Sequence, residues 1–439
     1  MKKQNKAVAV LAIILWACLV FEGLTLNGAE ANPTIQPKIE PNNYYIMPNG
    51  SIIPDSAPIK RSGNVYTLTE NVTGSEIWIS IDDIVFDGAG YTVKNNQTGE
   101  GTGLTLNCTR NVTVKNLRVE GFSWGAGIVI KRLIYEPSPF DSQPYPTGNP
   151  YPESNGNTII DCELQNNRLG IGTHTTTRNQ LVNNKIVSNG IGIQMVGGEE
   201  HAAINVVKNN FLEANGEGIA LDSCSNNIIL ENQIIQNSVY GLDISRSSNN
   251  TVQHNFIANN EVGILIDATG TNVKAEQNTI RYNQILQNNQ WGIKLTGHQA
   301  NNQIYANNFT DNNLGKGLQV SIPMFMDSGI GYVNILPGGG NVWNNESIGN
   351  YWSDYQTRYP NASKIQNATV WDTPFYINEN NSDQHPLADP IIVETPKIEE
   401  QQTKTNQTSP PPYTAIIVIG MICLFATILI AIRRNSKVT

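Results

Sequence analysis

The chain has 439 residues, of which 28 are basic and 37 acidic, and its formal net charge is −9. Without the two chain ends described below, 22 basic and 35 acidic residues remain, a net charge of about −13. Because nucleic acid is bound mainly through its phosphates by basic residues, this balance excludes nucleic acid as a partner.

The first predicted element is a secretory signal peptide over residues 1–31. Three lysines in the first six residues precede an apolar run from Ala7 to Phe21, and Ala29-Glu30-Ala31 provides small residues for cleavage. These are the three parts of a secretory signal. The mature chain is therefore predicted to start at Asn32, and residues 32–64 are predicted to form an N-terminal lead-in and cap.

From residue 157 onward, one pattern of residues occurs seven times. Each copy has an Asn, an aliphatic residue two positions later, an Asn at five, an apolar residue at seven and an Asn at ten. The copies start at Asn157, Asn179, Asn205, Asn227, Asn250, Asn278 and Asn302. Their steps of 22, 26, 22, 23, 28 and 24 residues fit one coil of a solenoid per copy.

The apolar positions of the copies are predicted to point into the solenoid, and the Asn positions to stack at its corners. The amide of Asn both donates and accepts, and Asn tolerates left-handed backbone angles. With coils about 4.8 Å apart, Asn side chains of successive copies can hydrogen-bond along the axis. Cys162 takes the place of the second Asn in the first copy.

The strands of the solenoid follow the third Asn of most copies, where a Gly precedes alternating apolar residues, as in Gly218-Ile219-Ala220-Leu221. Such alternation is typical of a half-buried strand. Helical spacing is never sustained between Tyr66 and Phe309, which disfavours a helical solenoid. We therefore predict an all-β parallel β-helix over residues 65–313, interrupted by an insert loop at 131–157.

The C-terminal part is predicted to cap and anchor the solenoid. Residues 314–390 form the predicted capping region, followed by a polar linker at 391–412. The apolar stretch from Thr414 to Ile432 has 19 residues, enough for a hydrocarbon core of about 30 Å, and basic residues follow it. This predicts a single transmembrane helix at 413–432, a cytoplasmic tail at 433–439 and an extracellular N-terminal ectodomain.

Two further features concern the compartment. Cys108, Cys162 and Cys224 remain between the chain ends, and three cysteines form no disulfide framework. About a dozen N-x-S/T sequons predict a glycosylated surface protein. They begin at Asn49, Asn71, Asn96, Asn107, Asn111, Asn249, Asn308, Asn345, Asn361, Asn367, Asn380 and Asn406.

The Asn-rich copies and three later segments resemble the NosD-type β-helix proteins common on archaeal cell surfaces. The segments are Gly349-Asn-Tyr-Trp-Ser-Asp-Tyr355, Asp372-Thr-Pro-Phe-Tyr-Ile377 and Asp383-Gln-His-Pro-Leu387. The resemblance covers about residues 60 to 390. It implies a right-handed, single-stranded parallel β-helix of the carbohydrate-binding and sugar-hydrolase type, and it connects the chain with copper-site maturation. Members usually carry a calcium-loop-like stretch, but residues 356–371 here contain no acidic residue.

Candidate catalytic residues lie on the outward side of the strands that follow the Gly. Aligning these strands gives one outward column with Asn107, Lys131, His174, Asp222, Ser245, Asp267, Thr296 and Ser321, and a second with Gln194, Asp243 and Lys294. Asp222 and Asp267 are predicted to stand about 9 to 10 Å apart, near the upper end of the separation in inverting glycosidases, with Asp243 offset between them.

Cations near these aspartates would serve a polysaccharide lyase, and Arg246, Lys294 and His298 are predicted to reach the same face. The alternative is that exposed strand positions are polar and some of them are Asp. Trp291, and Tyr135 and Tyr145 of the insert loop, are candidate platforms for sugar rings, or else they pack against the solenoid.

The potential metal ligands are scattered over several faces of the predicted solenoid, so we expect no metal site and no cofactor. A calcium or copper site is the alternative. The copper candidates are His174, His201, His254, His298, His385, Met324 and Met326.

Three hypotheses follow from the sequence. The first is a membrane-anchored extracellular β-helix that binds or scaffolds polysaccharide or surface-layer partners without chemistry. The second is a polysaccharide lyase or glycosidase that uses Asp222, Asp243 and Asp267. The third is a NosD-like copper accessory protein.

Overall fold

The structure is a computed structural model that describes residues 39–393, except for residues 97, 133–152, 198–203, 271–272, 298, 323–339 and 366–367. The predicted signal peptide, transmembrane helix and cytoplasmic tail lie outside the described residues, as do most of the linker and of the insert loop. Among the helices in the described part of the chain, none has the length and apolarity needed to cross a membrane.

Three long sheets run side by side along the solenoid. Their neighbouring strands are parallel except for the first pair of sheet 1 and the first pair of sheet 2, which are antiparallel. Sheet 1 contains Tyr44–Ile46, Ile52–Ile53, Ile77–Ile79, Thr102–Asn107, Ala126–Lys131, Leu169–His174, Ile191–Val196, Glu217–Asp222, Tyr240–Ser245, Val262–Ala268, Trp291–Gly297 and Val320–Ser321. Sheet 2 contains Ile59–Ser62, Val65–Leu68, Val85–Asp87, Thr113–Lys115, Thr158–Ile160, Gln180–Val182, Val206–Lys208, Ile228–Leu230, Thr251–Gln253, Thr279–Arg281 and Gln303–Tyr305. Sheet 3 contains Val72–Thr73, Thr92–Lys94, Arg118–Glu120, Glu163–Gln165, Lys185–Val187, Phe211–Glu213, Gln233–Ile235, Phe256–Ala258, Gln284–Leu286, Asn308–Thr310 and Tyr351–Trp352.

Each coil contributes one strand to each sheet, so equivalent residues of successive copies stand in register. Ile159 pairs with Leu181 in sheet 2, and Leu164 pairs with Ile186 in sheet 3. The inward residues of all three sheets are fully buried, because the coil leaves no room for water between them. The prediction of an all-β parallel β-helix is therefore confirmed.

Three Asn ladders, one at each corner, hold successive coils together. Asn232 is fully buried, and its side-chain oxygen accepts from the backbone N–H and the amide of Asn210 at 2.9 and 3.0 Å. Its own amide donates to the side chain of Asn255 at 3.0 Å and to the carbonyl oxygen of Val207 at 2.9 Å. Burying a polar group is unfavourable unless the group is hydrogen-bonded. The ladders therefore fix the register between successive coils.

The expected reason for Asn at the corners is partly wrong. The ladder residues have ordinary backbone angles, and the residue before each of them adopts the left-handed conformation, as Glu231 and His254 do with φ of 56°. The side chain of the ladder Asn is instead required by its hydrogen bonds. This leaves the left-handed position open to many residue types, among them Tyr282.

The ladders run head to tail, with the N–H donors pointing toward the C-terminal end. There the last acceptors come from outside the repeats. Asn341 accepts from Asn302 at 3.0 Å, Asn350 accepts from Asn307 at 3.0 Å, and Gln319 accepts from Asn312 at 3.0 Å. These donors thus find acceptors although the repeats have ended.

The described C-terminal residues cover the last coil with aromatic side chains. They include a 3-10 turn at Asn312–Gly315, the helix Tyr355–Arg358 and an antiparallel hairpin of Phe375–Asn378 and Asn381–Asp383. Trp352 is sandwiched between Phe309 and Phe375, with ring centroids 4.5 and 4.2 Å apart. An uncovered solenoid end would expose apolar surface and unpaired strands, so this stack closes the core.

Candidate functional site

The outer face of sheet 1 presents three columns of outward side chains. The column at the strand starts holds Thr102, Ala126, Leu169, Ile191, Glu217, Tyr240, Val262 and Trp291. The middle column holds Thr105, Val129, Gly172, Gln194, Ala220, Asp243, Leu265, Lys294 and Ser321. The column at the strand ends holds Asn107, Lys131, His174, Val196, Asp222, Ser245, Asp267 and Thr296.

One predicted alignment is wrong. Ser321 pairs with Lys294 and stands in the middle column, not beside Thr296 at the strand ends. The chain leaves the regular coil at the 3-10 turn Asn312–Gly315, so counting residues from the preceding Asn no longer gives the register. Val196, which the alignment lacked, fills the place between His174 and Asp222.

The three candidate aspartates lie on neighbouring strands of this face. Asp222 and Asp267 both pair with Ser245, one from each side, which makes their separation two strand spacings, about 9 to 10 Å. Asp243 lies on the strand between them, two residues before Ser245. We call the outward residues of the four strands between Glu217 and Gly297 the acidic face.

Asp243 has the most perturbed carboxyl group of the acidic face. Burial raises its pKa to about 7, and the charges of Glu217, Asp267 and Asp222 act in the same direction. The Ser245 hydroxyl, which donates to Asp243 Oδ1 at 2.6 Å, opposes this rise in pKa. Asp243 can therefore exchange a proton near neutral pH, which is what a general acid or base requires.

The other two aspartates are held by neighbours in fixed positions. Arg246 donates to Asp222 Oδ1 from Nε at 3.0 Å and from Nη2 at 2.5 Å. Asp267 Oδ1 accepts from the hydroxyls of Thr296 and Thr269, the latter at 2.6 Å. The predicted approach of Arg246 to the aspartates is thus present, and it is directed at Asp222.

Two residues of the acidic face were not singled out from the sequence. Burial raises the pKa of Glu217, and it also raises the pKa of Tyr240, to which the charges of Asp243, Glu217 and Asp267 add. Both start their strands, one position before the Gly of the repeat, and the half-buried Trp291 occupies the same position two strands beyond Tyr240. The recurrence of that position in every copy was the signal that could have identified them.

Of the remaining cationic and loop candidates, the structure describes Lys294. Lys294 is in the column of Asp243, but Leu265 stands between them. His298, Tyr135 and Tyr145 lie outside the described residues.

No three or more potential metal ligands converge within the described residues. Of the copper candidates, His174 is on the outer face of sheet 1, while His254 stacks on Tyr282 at a corner, with 5.4 Å between ring centroids. His385 lies beyond the C-terminal hairpin and donates its backbone N–H to Asp383 at 3.0 Å. His201, Met324 and Met326 are outside the described residues.

Part of the repeat region matches a known protein family, and the fold is similar to several solved structures. Residues 198–357 match the family model described as "Periplasmic copper-binding protein (NosD)". No curated protein sequence matches the chain. Among solved structures, the fold is similar to the periplasmic alginate epimerase AlgG, with 16% identity over 61% of this chain and 66% of that chain and a TM-score of 0.36.

Two further solved structures are similar. One is the A-module of the Azotobacter vinelandii mannuronan C-5 epimerase AlgE6, with 17% identity over 64% of this chain and 77% of that chain and a TM-score of 0.40. The other is tailspike protein 2 from the Escherichia coli O157:H7 bacteriophage CAB120, with 13% identity over 66% of this chain and 38% of that chain and a TM-score of 0.43. The chain is thus a parallel β-helix in which residues 198–357 are similar to the NosD family.

Proposed function

We propose that this protein is an exported, membrane-anchored β-helix that binds a neutral polysaccharide on the acidic face without transforming it. The observation that carries the proposal is the placement of aromatic rings, hydroxyls and carboxyls on the outer side of four consecutive strands, among them Trp291, Tyr240, Ser245 and Asp243. Ligand sites combine apolar surface with a few placed polar groups in this way.

The charge of the acidic face determines which class of polysaccharide it can bind. Asp222 is paired with Arg246. The other carboxyls of the face, those of Glu217, Asp243 and Asp267, outnumber Lys294, the one basic residue of its strands, so the formal net charge of the face is negative. Like charges at an interface oppose binding. A neutral polymer is therefore favoured over one made of uronic acids.

The test is binding of the full-length chain in detergent to a panel of neutral and acidic polysaccharides. Trp291→Ala is expected to weaken binding to a neutral polymer at least tenfold, because the ring is the apolar part of the site. Trp124→Ala is the matched control, since Trp124 is 74% exposed and lies off the acidic face. Equal affinities of the two variants would contradict the proposal.

A second candidate is a polysaccharide lyase or glycosidase, and the pKa of Asp243 favours it. In this case Asp243 would exchange the proton, with Asp222 and Asp267 on the two adjacent strands, each two residues further along and so about 7 to 8 Å away. The same polysaccharide panel is then read for reducing and unsaturated ends. Release of such ends that is lost in Asp243→Ala would establish the enzyme, and binding without release would establish the non-catalytic protein.

Export and anchoring rest on residues 1–31 and 413–432 of the sequence. We expect the mature chain to start at Asn32, the chain to fractionate with membranes, and an external protease to remove the ectodomain from intact cells. A chain that still begins at Met1, or that is soluble after cell lysis, would contradict this part of the proposal.

A further inference from the structure

The sequons of the chain differ in their access to solvent. Asn111 and Asn249 are exposed, and so are Asn49, Asn71, Asn96, Asn361 and Asn380. Asn107 and Asn308 are only 4% and 1% exposed. Because a glycan needs its acceptor nitrogen at the surface, the structure divides these sequons into usable and unusable ones.

Asn111 and Asn249 occupy the same corner of the solenoid. Each has a left-handed backbone conformation, with φ of 55° and 57°, between a strand of sheet 1 and the next strand of sheet 2. Backbone hydrogen bonds connect this corner from coil to coil, for example from Asn111 N to Asn155 O at 3.1 Å and from Asn226 N to Ser248 O at 3.1 Å. The two sequons are five coils apart, about 24 Å along one ridge.

The two buried sequons are blocked in different ways. Asn308 donates to the carbonyl oxygen of Ile391 at 2.7 Å and accepts from the Ile391 N–H at 2.8 Å, so the Ile391 backbone covers the amide to which a glycan would be attached. Asn107 is in the outer face of sheet 1, and its side-chain oxygen is buried without a hydrogen-bond partner among the described residues. At 4% exposure, its side chain is too buried to be a glycan acceptor.

We propose that Asn111 and Asn249 carry N-linked glycans and that Asn107 and Asn308 do not, so that sugars cover this corner ridge and leave the outer face of sheet 1 bare. The inference rests on the export assumed in the proposed function. It adds that a bulky partner reaches the acidic face without meeting a glycan, since the buried Asn107 is the only sequon among the described strands of sheet 1.

Glycopeptide mass spectrometry of the full-length chain from its own membranes tests the site assignment. We expect glycans at Asn111 and Asn249 and none at Asn107 or Asn308. Thr251→Ala and Thr310→Ala form a matched pair, because each removes the hydroxyl of one sequon and both threonines are half-buried strand residues. The first is expected to lose the mass of one glycan and the second to lose none. An unmodified Asn111 or Asn249, or a glycan at Asn107 or Asn308, overturns the assignment.

A glycan placed on the acidic face tests the second half of the inference. Asp267→Asn creates the sequon Asn-Ala268-Thr269, and the double variant Asp267→Asn with Thr269→Ala carries the same substitution without a sequon. We expect at least tenfold weaker polysaccharide binding for the glycosylated single variant than for the double variant. Equal binding overturns the bare-face inference. Absence of binding in the unmodified chain overturns the proposed function and leaves the site assignment standing.

Discussion

At the scale of single residues, Asp243 has the carboxyl group whose pKa is shifted most on the acidic face. It stands in a column where its neighbours are Ala220 and Leu265, so apolar side chains flank it along the sheet. Burial disfavours its charged form, and the nearby carboxylates disfavour it further. The folded protein therefore holds a proton on Asp243 at pH values where an unfolded chain has released it.

This shift makes the stability depend on pH. The pKa of Asp243 is about 7 in the folded protein against an ordinary value of 3.8, so the free energy of unfolding falls as pH rises from about 4 to about 7. Asp243→Ala lacks this titrating group. The free energy of unfolding of the variant should therefore rise relative to that of the parent chain across this pH window, by at most about 4 kcal/mol. Urea unfolding at several pH values measures it, with the exposed Asp55→Ala as control. A difference that is constant between pH 4 and 8 would refute the assigned pKa.

The sequence predicted which aspartates share the face but not how they interact. The repeat fixes which residues of successive copies align, so Asp222, Asp243 and Asp267 could be located on neighbouring strands from the sequence. The contacts of Arg246 with Asp222, and the burial around Asp243, depend on side-chain positions that no residue spacing encodes.

At the scale of the repeating element, the Asn ladders do more than fill the corners. The side chain of Asn232, for example, accepts from two donors of the preceding coil and donates to carbonyl oxygens around it. An apolar core alone tolerates a shift of one strand along its neighbour, whereas a displaced amide would leave several buried groups unpaired. The ladders thus specify the register of strands as short as three residues.

Removing one ladder side chain should therefore be costly. Asn232→Ala leaves the buried backbone N–H of Asn210 without an acceptor. The amide of Asn210 loses one acceptor and keeps the carbonyl oxygens of Leu181 and Lys208. We expect a loss of about 2 to 3 kcal/mol in the free energy of unfolding. Asn259→Gly is the control, because Asn259 is an exposed corner residue with φ of 57°, which Gly also adopts. Similar urea midpoints for the two variants would show that the ladder bonds contribute little.

In the first copy of the repeat, an Asn can be added to a ladder instead of being removed from it. Cys162 is fully buried in the ladder position, and its thiol lies 3.3 Å from the Ile160 carbonyl oxygen and 3.9 Å from that of Val114. One coil later, the amide of Asn184 lies 2.9 Å from the Ile159 carbonyl oxygen and 3.0 Å from Asn210 Oδ1. Cys162→Asn extends the ladder by one coil and should stabilise the fold by about 1 kcal/mol.

Cys224→Asn is the control for this gain. Cys224 is equally buried but stands outside the ladder columns, next to Asn227, so the larger amide should destabilise the protein there. A thermal midpoint that falls in both variants would mean that the corner at Cys162 has no room for an amide.

At the scale of the whole molecule, the solenoid depends on closed ends, and these were the least predictable part. The sequence indicated that residues 314–390 cap the last coil, because a repeat that ends abruptly leaves its core open. The partners that terminate each ladder could not be found by counting, since Gln319, Asn341 and Asn350 follow no common spacing. Only folding of the non-repetitive segment brings them to the ladder ends.

Asp383 connects the segments that close the C-terminal end of the solenoid. Its carboxyl group is buried and accepts from Asn350 N at 2.6 Å, Trp352 Nε1 at 3.0 Å and His385 N at 3.0 Å. Burial raises its pKa to about 7, although the three donors favour the charged form. A Cβ atom on Gly349 would lie 1.7 Å from Asp383 Oδ1, so Gly is required there.

Asp383→Asn should open this end of the solenoid. An amide has one acceptor oxygen in place of two and turns its NH2 group toward N–H donors, so we expect a loss of about 2 to 3 kcal/mol. The aromatic stack of Phe309, Trp352 and Phe375 would then be exposed, and the chain should associate end to end. Size-exclusion chromatography and limited proteolysis of the full-length chain measure both effects. Asp389→Asn, at a carboxylate that is 74% exposed, should change neither. If Asp383→Asn stays monomeric and protease-resistant, the aromatic stack closes the solenoid without the carboxylate.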